Sequence, residues 1–338
     1  MPAGPPPITK TSYDFIFPNL AQSKNLLFWR YTRYMRKDIL ILMPFIAVAV
    51  FLSRPEALPA KHVEATPIQT AEVEPVSLSF LPKSVEQGEP VLVTIENLGT
   101  STVKSLVWDG KVLKTFENAG QIQALIGLDL RLTPKTYPVE LTLNDGQVIK
   151  KDLIVKKRDI VSAPLGIPES LGGNTTTSEQ ALLKTLADEG AIINAIPSGN
   201  TKLWNGNFRL PIDPPITITD VYGYSRETGA STLAHKGTDF RASVGTSVYA
   251  INTGKVAYVG YLRNYGNVVV LDHGLGLLSI YMHLSQVLVK VGESVEKSAL
   301  IARSGETGYV LGPHLHLTVR VGGISIDPMR FLKLLGEN

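Results

Sequence analysis

Hydrophobic positions change their spacing several times along the chain, and each spacing predicts a different element. From Ile39 to Ser53 (ILILMPFIAVAVFLS) they run for fifteen residues without a charge. As a helix at about 1.5 Å per residue this spans roughly 22 Å, short of the roughly 30 Å hydrocarbon core of a bilayer, and it contains Pro44. From Val76 to Val155 the runs become short and alternating: VSLSFL, VLVTIEN, SLVWDG, KVLKTFE, YPVELTL and VIKKDLIV. Turn signals such as Gln87-Gly88 and Asn144-Asp145-Gly146 separate them, which predicts an antiparallel, immunoglobulin-like β-sandwich over 76–158. Trp108 and Phe116 read there as core or half-buried strand residues. Between 159 and 200 the period lengthens. Thr177-Ser178-Glu179-Gln180 has capping-box spacing, and Leu182, Leu183, Leu186 and Ile193 follow on one face, so a linker with one helix is expected. From Trp204 onward, glycine-punctuated runs such as VYAINTGKVAYVGY, GNVVVLDHG, LLSIYMHLS and HLHLTVRV predict a β-rich domain over 201–338.

Charge sharpens the reading of the N-terminal end. The 338 residues hold 33 Lys and Arg against 30 Asp and Glu, a net of +3. Residues 1–38 carry six bases against two acids, +4, leaving about −1 on the rest. The basic excess therefore sits beside the apolar segment, and nothing points to a nucleic-acid-binding body. The upstream LLFWRYTRYMRK suits an interfacial belt with snorkelling bases, as expected of an uncleaved single-pass anchor at 39–53 behind a cytoplasmic tail at 1–38. Small residues near Ala57 to Ala60 keep a cleaved signal peptide open, and a buried soluble helix is the third reading. Either membrane reading sends the body outward, to the periplasm or beyond the cell, or releases it after cleavage. Residues 54–75, rich in Pro, Ala and Glu, read as a solvated stalk in which His62 stands alone.

The absence of cysteine excludes disulfides, thiolate metal sites and cysteine nucleophiles. Metal or catalytic chemistry must then come from His, Asp, Glu or Ser. Five of the six histidines lie in the last domain, at 235, 273, 283, 314 and 316. His314-Leu315-His316 opens a strand-like run, so both imidazoles point to one face while Leu315 points into the packing. His235 and Asp239 add an imidazole and a carboxylate four residues apart, with Gly237 allowing a bend. Nitrogen and oxygen ligands of this kind suit Zn²⁺ with an open position for water. On spacing alone, a metal hydrolase and a structural histidine cluster both remain open.

His235-x-x-x-Asp239, Tyr281-Met282-His283-Leu284 and Gly312-Pro313-His314-Leu315-His316-Leu317 resemble the three signature motifs of the M23 zinc metallopeptidases, of LytM and lysostaphin type. The likeness covers roughly 208–332. Together with the strand pattern of 76–158, it implies a mainly β chain in which an immunoglobulin-like sandwich is followed by an M23 domain. It also implies one Zn²⁺ ion on His235, Asp239 and His316, with His283 and His314 as uncoordinated catalytic histidines of shared role. Two departures stand out: ITDVYGYSRE precedes the first motif where a Ser then Phe-Gly is more usual, and no tyrosine stands six residues before His235. The first is expected to adjust a substrate-groove wall near Tyr222 and Arg226. The second argues against the glycyl-glycine-cleaving branch. His273, in Asp272-His273-Gly274, is expected at a hairpin turn or on the groove wall.

The leading expectation is a membrane-anchored zinc endopeptidase acting on the peptide stems of peptidoglycan. A catalytically silent M23-like activator of another wall hydrolase is one alternative. An envelope scaffold that binds other envelope proteins through the sandwich is the other.

Overall fold

The computed structural model describes residues 74–164, 166–167, 173–228 and 231–336. The basic tail, the apolar segment 39–53 and the stalk to residue 73 lie outside them. Among the described residues no helix is long and apolar enough to cross a membrane.

Alternation between buried and exposed positions builds two facing sheets. Their strands are β1 (Ser77–Leu81), β2 (Val85–Glu86), β3 (Pro90–Glu96), β4 (Val103–Trp108), β5 (Lys111–Val112), β6 (Thr115–Asn118), β7 (Gln121–Gly127), β8 (Thr136–Leu143) and β9 (Val148–Lys156). One sheet runs β1-β3-β7-β6 and the other β2-β9-β8-β4-β5. In β8, Tyr137, Val139, Leu141 and Leu143 alternate inward and meet Leu78, Val91 and Ile126 of the opposite sheet in one apolar core. Trp108 is buried there, its ring 5.9 Å from that of Tyr137. Two details depart from the sequence reading. β2 runs parallel to β9, so the sandwich is not purely antiparallel. β7, QIQALIG, is central although it is not among the predicted runs, because Gln123 occupies a buried position and satisfies its amide on Thr94 Oγ1 at 3.1 Å.

The expected linker 159–200 holds one short strand besides its helix, and three more strands open the domain that follows. β10 (Ser162–Pro164) and helix α1 (Thr176–Asn194) come first, then β11 (Ile218–Asp220), β12 (Ser225–Thr228) and β13 (Ser231–Ala234). β10 adds in parallel to β12, which pairs with β13. The cap of α1 stands two residues before the expected Thr177. Thr175 has extended backbone and its hydroxyl accepts the Ser178 N–H at 3.2 Å, which makes it the cap.

The remaining strands are β14 (Thr238–Arg241), β15 (Ser247–Tyr249), β16 (Gly254–Leu262), β17 (Gly266–Gly274), β18 (Leu277–Val287), β19 (Ser294–Val295), β20 (Leu300–Ser304), β21 (His314–Val321) and β22 (Ile324–Ile326), before helix α2 (Pro328–Leu335). The main sheet runs β11-β14-β21-β18-β17-β16-β19, with β15, β20 and β22 attached. One face buries Phe240, Tyr281, Leu315, Leu317 and Phe331. On the other face Val268, Val270, Ile280 and Met282 meet Ile193 of α1.

Sandwich and sheet share packing. Phe116 of β6 stacks edge-on against Trp204 with centroids 5.1 Å apart and so belongs to the second domain's core rather than to the sandwich's own. The Asp327 N–H donates to the Gly88 carbonyl at 2.7 Å, and Arg158 pairs with Asp327 at 2.5 Å.

Candidate metal centre

The β14–β21 register places Asp239 opposite His316 and Phe240 opposite Leu315. With period-two alternation, Asp239, His314 and His316 then share the face that α1 covers further along the sheet, while Phe240 and Leu315 fill the core. His235 arrives from the segment before β14. Gly237 matters for space: a Cβ there would collide with His316 Nε2 and the Leu317 carbonyl. That close approach, rather than a special bend, explains the glycine.

His283 reaches the same face by a different route. Simple alternation along β18 would send it to the core with Leu277 and Tyr281. The β17–β18 register slips between Asn267 and Val269, so that β18 carries an extra residue there, and His283 adopts φ +61°. This bulge turns the imidazole toward the site, with ring centroids 4.7 Å from His314 and 6.0 Å from His316. The left-handed backbone of a non-glycine residue is strained, and neighbouring contacts hold it. The His283 N–H donates to the Tyr265 carbonyl at 2.9 Å. The turn before Tyr265 is fixed by Glu189 of α1, whose buried carboxylate accepts the Asn264 N–H at 3.0 and 3.1 Å.

Three candidate ligand atoms converge. His316 Nδ1 lies 2.7 Å and His235 Nε2 3.2 Å from Asp239 Oδ1, and the two nitrogens are 3.0 Å apart. The outer nitrogens are engaged elsewhere, His235 Nδ1 with the Val221 carbonyl at 3.0 Å and His316 Nε2 with Thr318 Oγ1 at 2.9 Å. A carbonyl can only accept, so His235 carries its proton on Nδ1 and presents a lone pair inward. Acceptors this close repel one another unless a proton or a cation lies between them. The nitrogen and oxygen donor set, with outer-shell partners on both imidazoles, fits a Zn²⁺ ion.

His283 and His314 are oriented by the same device. His283 Nδ1 donates to the Thr307 carbonyl at 2.9 Å and His314 Nδ1 to the Gly312 carbonyl at 2.9 Å, leaving both Nε2 atoms as acceptors. His314 Nε2 is 3.8 Å from Asp239 Oδ1. Burial would raise the Asp239 pKa, but the hydrogen bonds and charges of His235 and His316 hold it well below the usual carboxylate range. Burial works against a charged His235, yet the Asp239 bond and charge outweigh it and raise its pKa. His316 is lowered by burial, only partly offset by Asp239. Burial, aided by the charges of His314 and His316, pushes His283 down to about 3, so its imidazole is neutral.

Two of the expected groove residues are elsewhere. His273 is fully buried, with Nδ1 on the Thr253 carbonyl and Nε2 on Ser279 Oγ, both at 2.8 Å. It belongs to a polar relay under the sheet and lines no groove. The Tyr222 side chain is 3% exposed and turns away from the site to the sandwich, with its hydroxyl on the Ser325 carbonyl at 2.7 Å. The backbone on either side of it, at Val221, Gly223 and Tyr224, is what contacts His235. Arg226 does lie close enough for its charge to act on His235, but it is half-buried and paired with Asp220, whose ladder partner is Asp239. Sequence reasoning missed the supports Val221, Thr307, Gly312, Thr318 and Glu189. Of these, Thr318 at i+2 from His316 and Gly312 at i−2 from His314, inside the third motif, carry a local signal.

Residues 233–328 match the model of peptidase family M23. A Haemophilus influenzae protein named an uncharacterized metalloprotease is 30% identical over 247 residues, which is 70% of this chain and 50% of that protein. The Vibrio cholerae peptidoglycan DD-endopeptidase ShyA is 42% identical over 124 residues, 36% of this chain and 29% of that protein. The chain thus spans half or less of the length of these relatives. A crystal structure from Pseudomonas aeruginosa, described as a peptidase M23, aligns with a TM-score of 0.54 at 24% identity, over 74% of this chain and 95% of that one, and shows a shared fold.

Proposed function

We propose that the chain is a zinc endopeptidase of the M23 type that hydrolyses peptide cross-links of bacterial peptidoglycan. The observation that carries this reading is the convergence of His235, Asp239 and His316 beside two imidazoles whose Nε2 atoms are spared by backbone carbonyls. His235, Asp239 and His316 would hold the ion. When bound there, Zn²⁺ polarises a carbonyl and lowers the pKa of a coordinated water towards 7. The chain's own groups manage the protons. Neutral His283, or His314, would accept a proton of the attacking water at Nε2, and the residue that took it would deliver it to the leaving amine. The same N–H groups can donate to the developing oxyanion. His283 and His314 share these steps.

The DD-endopeptidase relative supports peptidoglycan stems as substrate. The presence of both non-ligating histidines speaks against a silent activator. The basic end beside Ile39–Ser53 supports a single-pass anchor with the body in the periplasm or outside the cell, and cleavage near Ala57–Ala60 would release it. In that setting the sandwich is a spacer or a contact for envelope proteins. N-terminal sequencing of the mature protein in membrane and soluble fractions separates anchor from cleaved signal.

Zn²⁺-loaded protein incubated with purified sacculi should deplete cross-linked muropeptides, read by mass spectrometry, which also identifies the bond cut. Sacculi that stay intact until a separate amidase is added would mark an activator instead.

A further inference from the structure

The loop that orients His235 is held from outside the segment matching the M23 model. Residues 221–224 wrap this histidine. Besides the Val221 carbonyl on Nδ1, the Gly223 N–H donates to the His235 carbonyl and the His235 N–H to the Tyr224 carbonyl, both at 2.8 Å. The loop is in turn pinned at Tyr222, whose carbonyl accepts Arg158 Nη2 at 3.3 Å and whose ring lies 5.3 Å from the guanidinium carbon. Arg158 follows β9 at the end of the sandwich, with its N–H on Gln87 Oε1 at 3.1 Å. The same Nη2 reaches Asp327 Oδ2 at 2.5 Å, in a pair whose side chains are only 12% and 7% exposed. Asp327 Oδ1 caps α2 through the Met329 and Arg330 N–H groups. One guanidinium therefore ties together the sandwich, α2 and the loop whose carbonyl sets a metal ligand.

We propose that Arg158 is a positioning residue for the metal centre: it fixes the Tyr222 loop so that the Val221 carbonyl holds His235 in one tautomer and one orientation. Metal affinity then depends on how the sandwich is seated, although no sandwich residue touches the ion. This rests on the zinc-centre reading above. An arginine suits the role because its planar guanidinium lies against the Tyr222 ring while Nη2 serves both the carboxylate and the carbonyl, whereas an ammonium on a flexible stem acts as a point charge. Loss of an outer partner of a ligating histidine typically weakens metal binding by about 10–100-fold.

A purely structural Arg158 predicts something different. Asp327→Asn removes the ion pair but leaves the Arg158 contacts to the Tyr222 carbonyl and ring. The test measures Zn²⁺ affinity of the full chain by competition with a chromophoric chelator, together with the visible spectrum of the Co²⁺-loaded protein. Wild type, Arg158→Met, Arg158→Lys and Asp327→Asn are compared, each with its denaturation midpoint. Arg158→Met should weaken Zn²⁺ binding by about 10–100-fold and change the Co²⁺ spectrum. Arg158→Lys should recover part of the affinity, and it decides the matter if the Met variant does not fold. Asp327→Asn should lower the midpoint while affinity and spectrum stay close to wild type. Folded Arg158 variants with wild-type affinity and spectrum would overturn the inference alone. So would affinity that falls in step with stability across all variants. Failure of the wild type to take up stoichiometric Zn²⁺ overturns the metal-centre reading and this inference with it.

Discussion

The sandwich and the main sheet are built from similar strands, yet they bury polar groups to different extents. Between β1 and β9 the core is made of Leu, Val, Ile, Ala and aromatic side chains, and the buried polar residues beside it are Glu89, Thr94 and Gln123. The main sheet buries Asp239, His273, Ser279, His283, His316, Thr318 and Arg320 among comparable β-branched residues. Taking an ionisable group out of water costs several kcal/mol unless partners compensate, and replacement by an apolar residue of similar volume is often neutral or stabilising. A sheet that retains so many of them keeps them for chemistry or for support of chemistry. Polar burial thus separates the region that carries the candidate metal centre from the region that packs.

Removing a ligand should break this contrast most severely. Asp239→Asn or His316→Ala is expected to abolish stoichiometric Zn²⁺ uptake and to lower muropeptide cleavage on the order of 10³-fold or more. Metal analysis beside the cleavage assay checks it, and a His316→Ala protein that keeps both would sink the ligand assignment. His283→Ala should retain the metal and lose roughly 10²- to 10⁴-fold in turnover, the usual worth of a positioned acid or base. Unchanged turnover in that variant would refute its role. In the sandwich the same kind of truncation should act on stability alone. Leu141→Ala, at a position with no exposure, is expected to cost about 2–5 kcal/mol in denaturant unfolding while Zn²⁺ stoichiometry is unchanged.

The contrast was partly legible before any coordinates. Period-two spacing predicts that His314 and His316 share a face, and the β14–β21 register brings Asp239 onto it, because alternation is a local property that tertiary contacts rarely reverse. His283 was recognisable as a motif residue, but its direction was not readable: alternation sends it to the core, and only the bulge at φ +61° turns it outward. His273 and Tyr222 sit beside glycines in stretches that read as exposed turns. Their burial depends on the partners Thr253, Ser279 and Ser325, which stand on other strands or turns and leave no mark in the residues next to His273 and Tyr222. Arg158 and Glu189 carry no local signal either, since one supports the site from the end of the sandwich and the other from a helix that reads as part of a linker.

His273 provides the finest test of what polar burial means, because it is buried in the main sheet and yet stands outside the metal centre. Burial pushes its pKa down to about 4, only partly countered by the Thr253 carbonyl and the Asp272 charge. The folded chain therefore keeps it neutral where the unfolded chain, with a pKa near 6.5, takes up a proton. Below pH 6.5 the unfolded state binds more protons, so stability falls as pH falls, until the folded form also titrates near pH 4. The loss should be about 1 kcal/mol at pH 5.5 and about 3 kcal/mol at pH 4. His273→Gln can keep a hydrogen-bonding amide in the relay without titrating. Its urea-unfolding free energy should start below that of the wild type at pH 7 and converge towards it on acidification. Parallel curves for the two proteins would show that His273 carries no proton linkage. A shift in Zn²⁺ affinity in the same variant would show that the relay and the metal centre are one polar system rather than two.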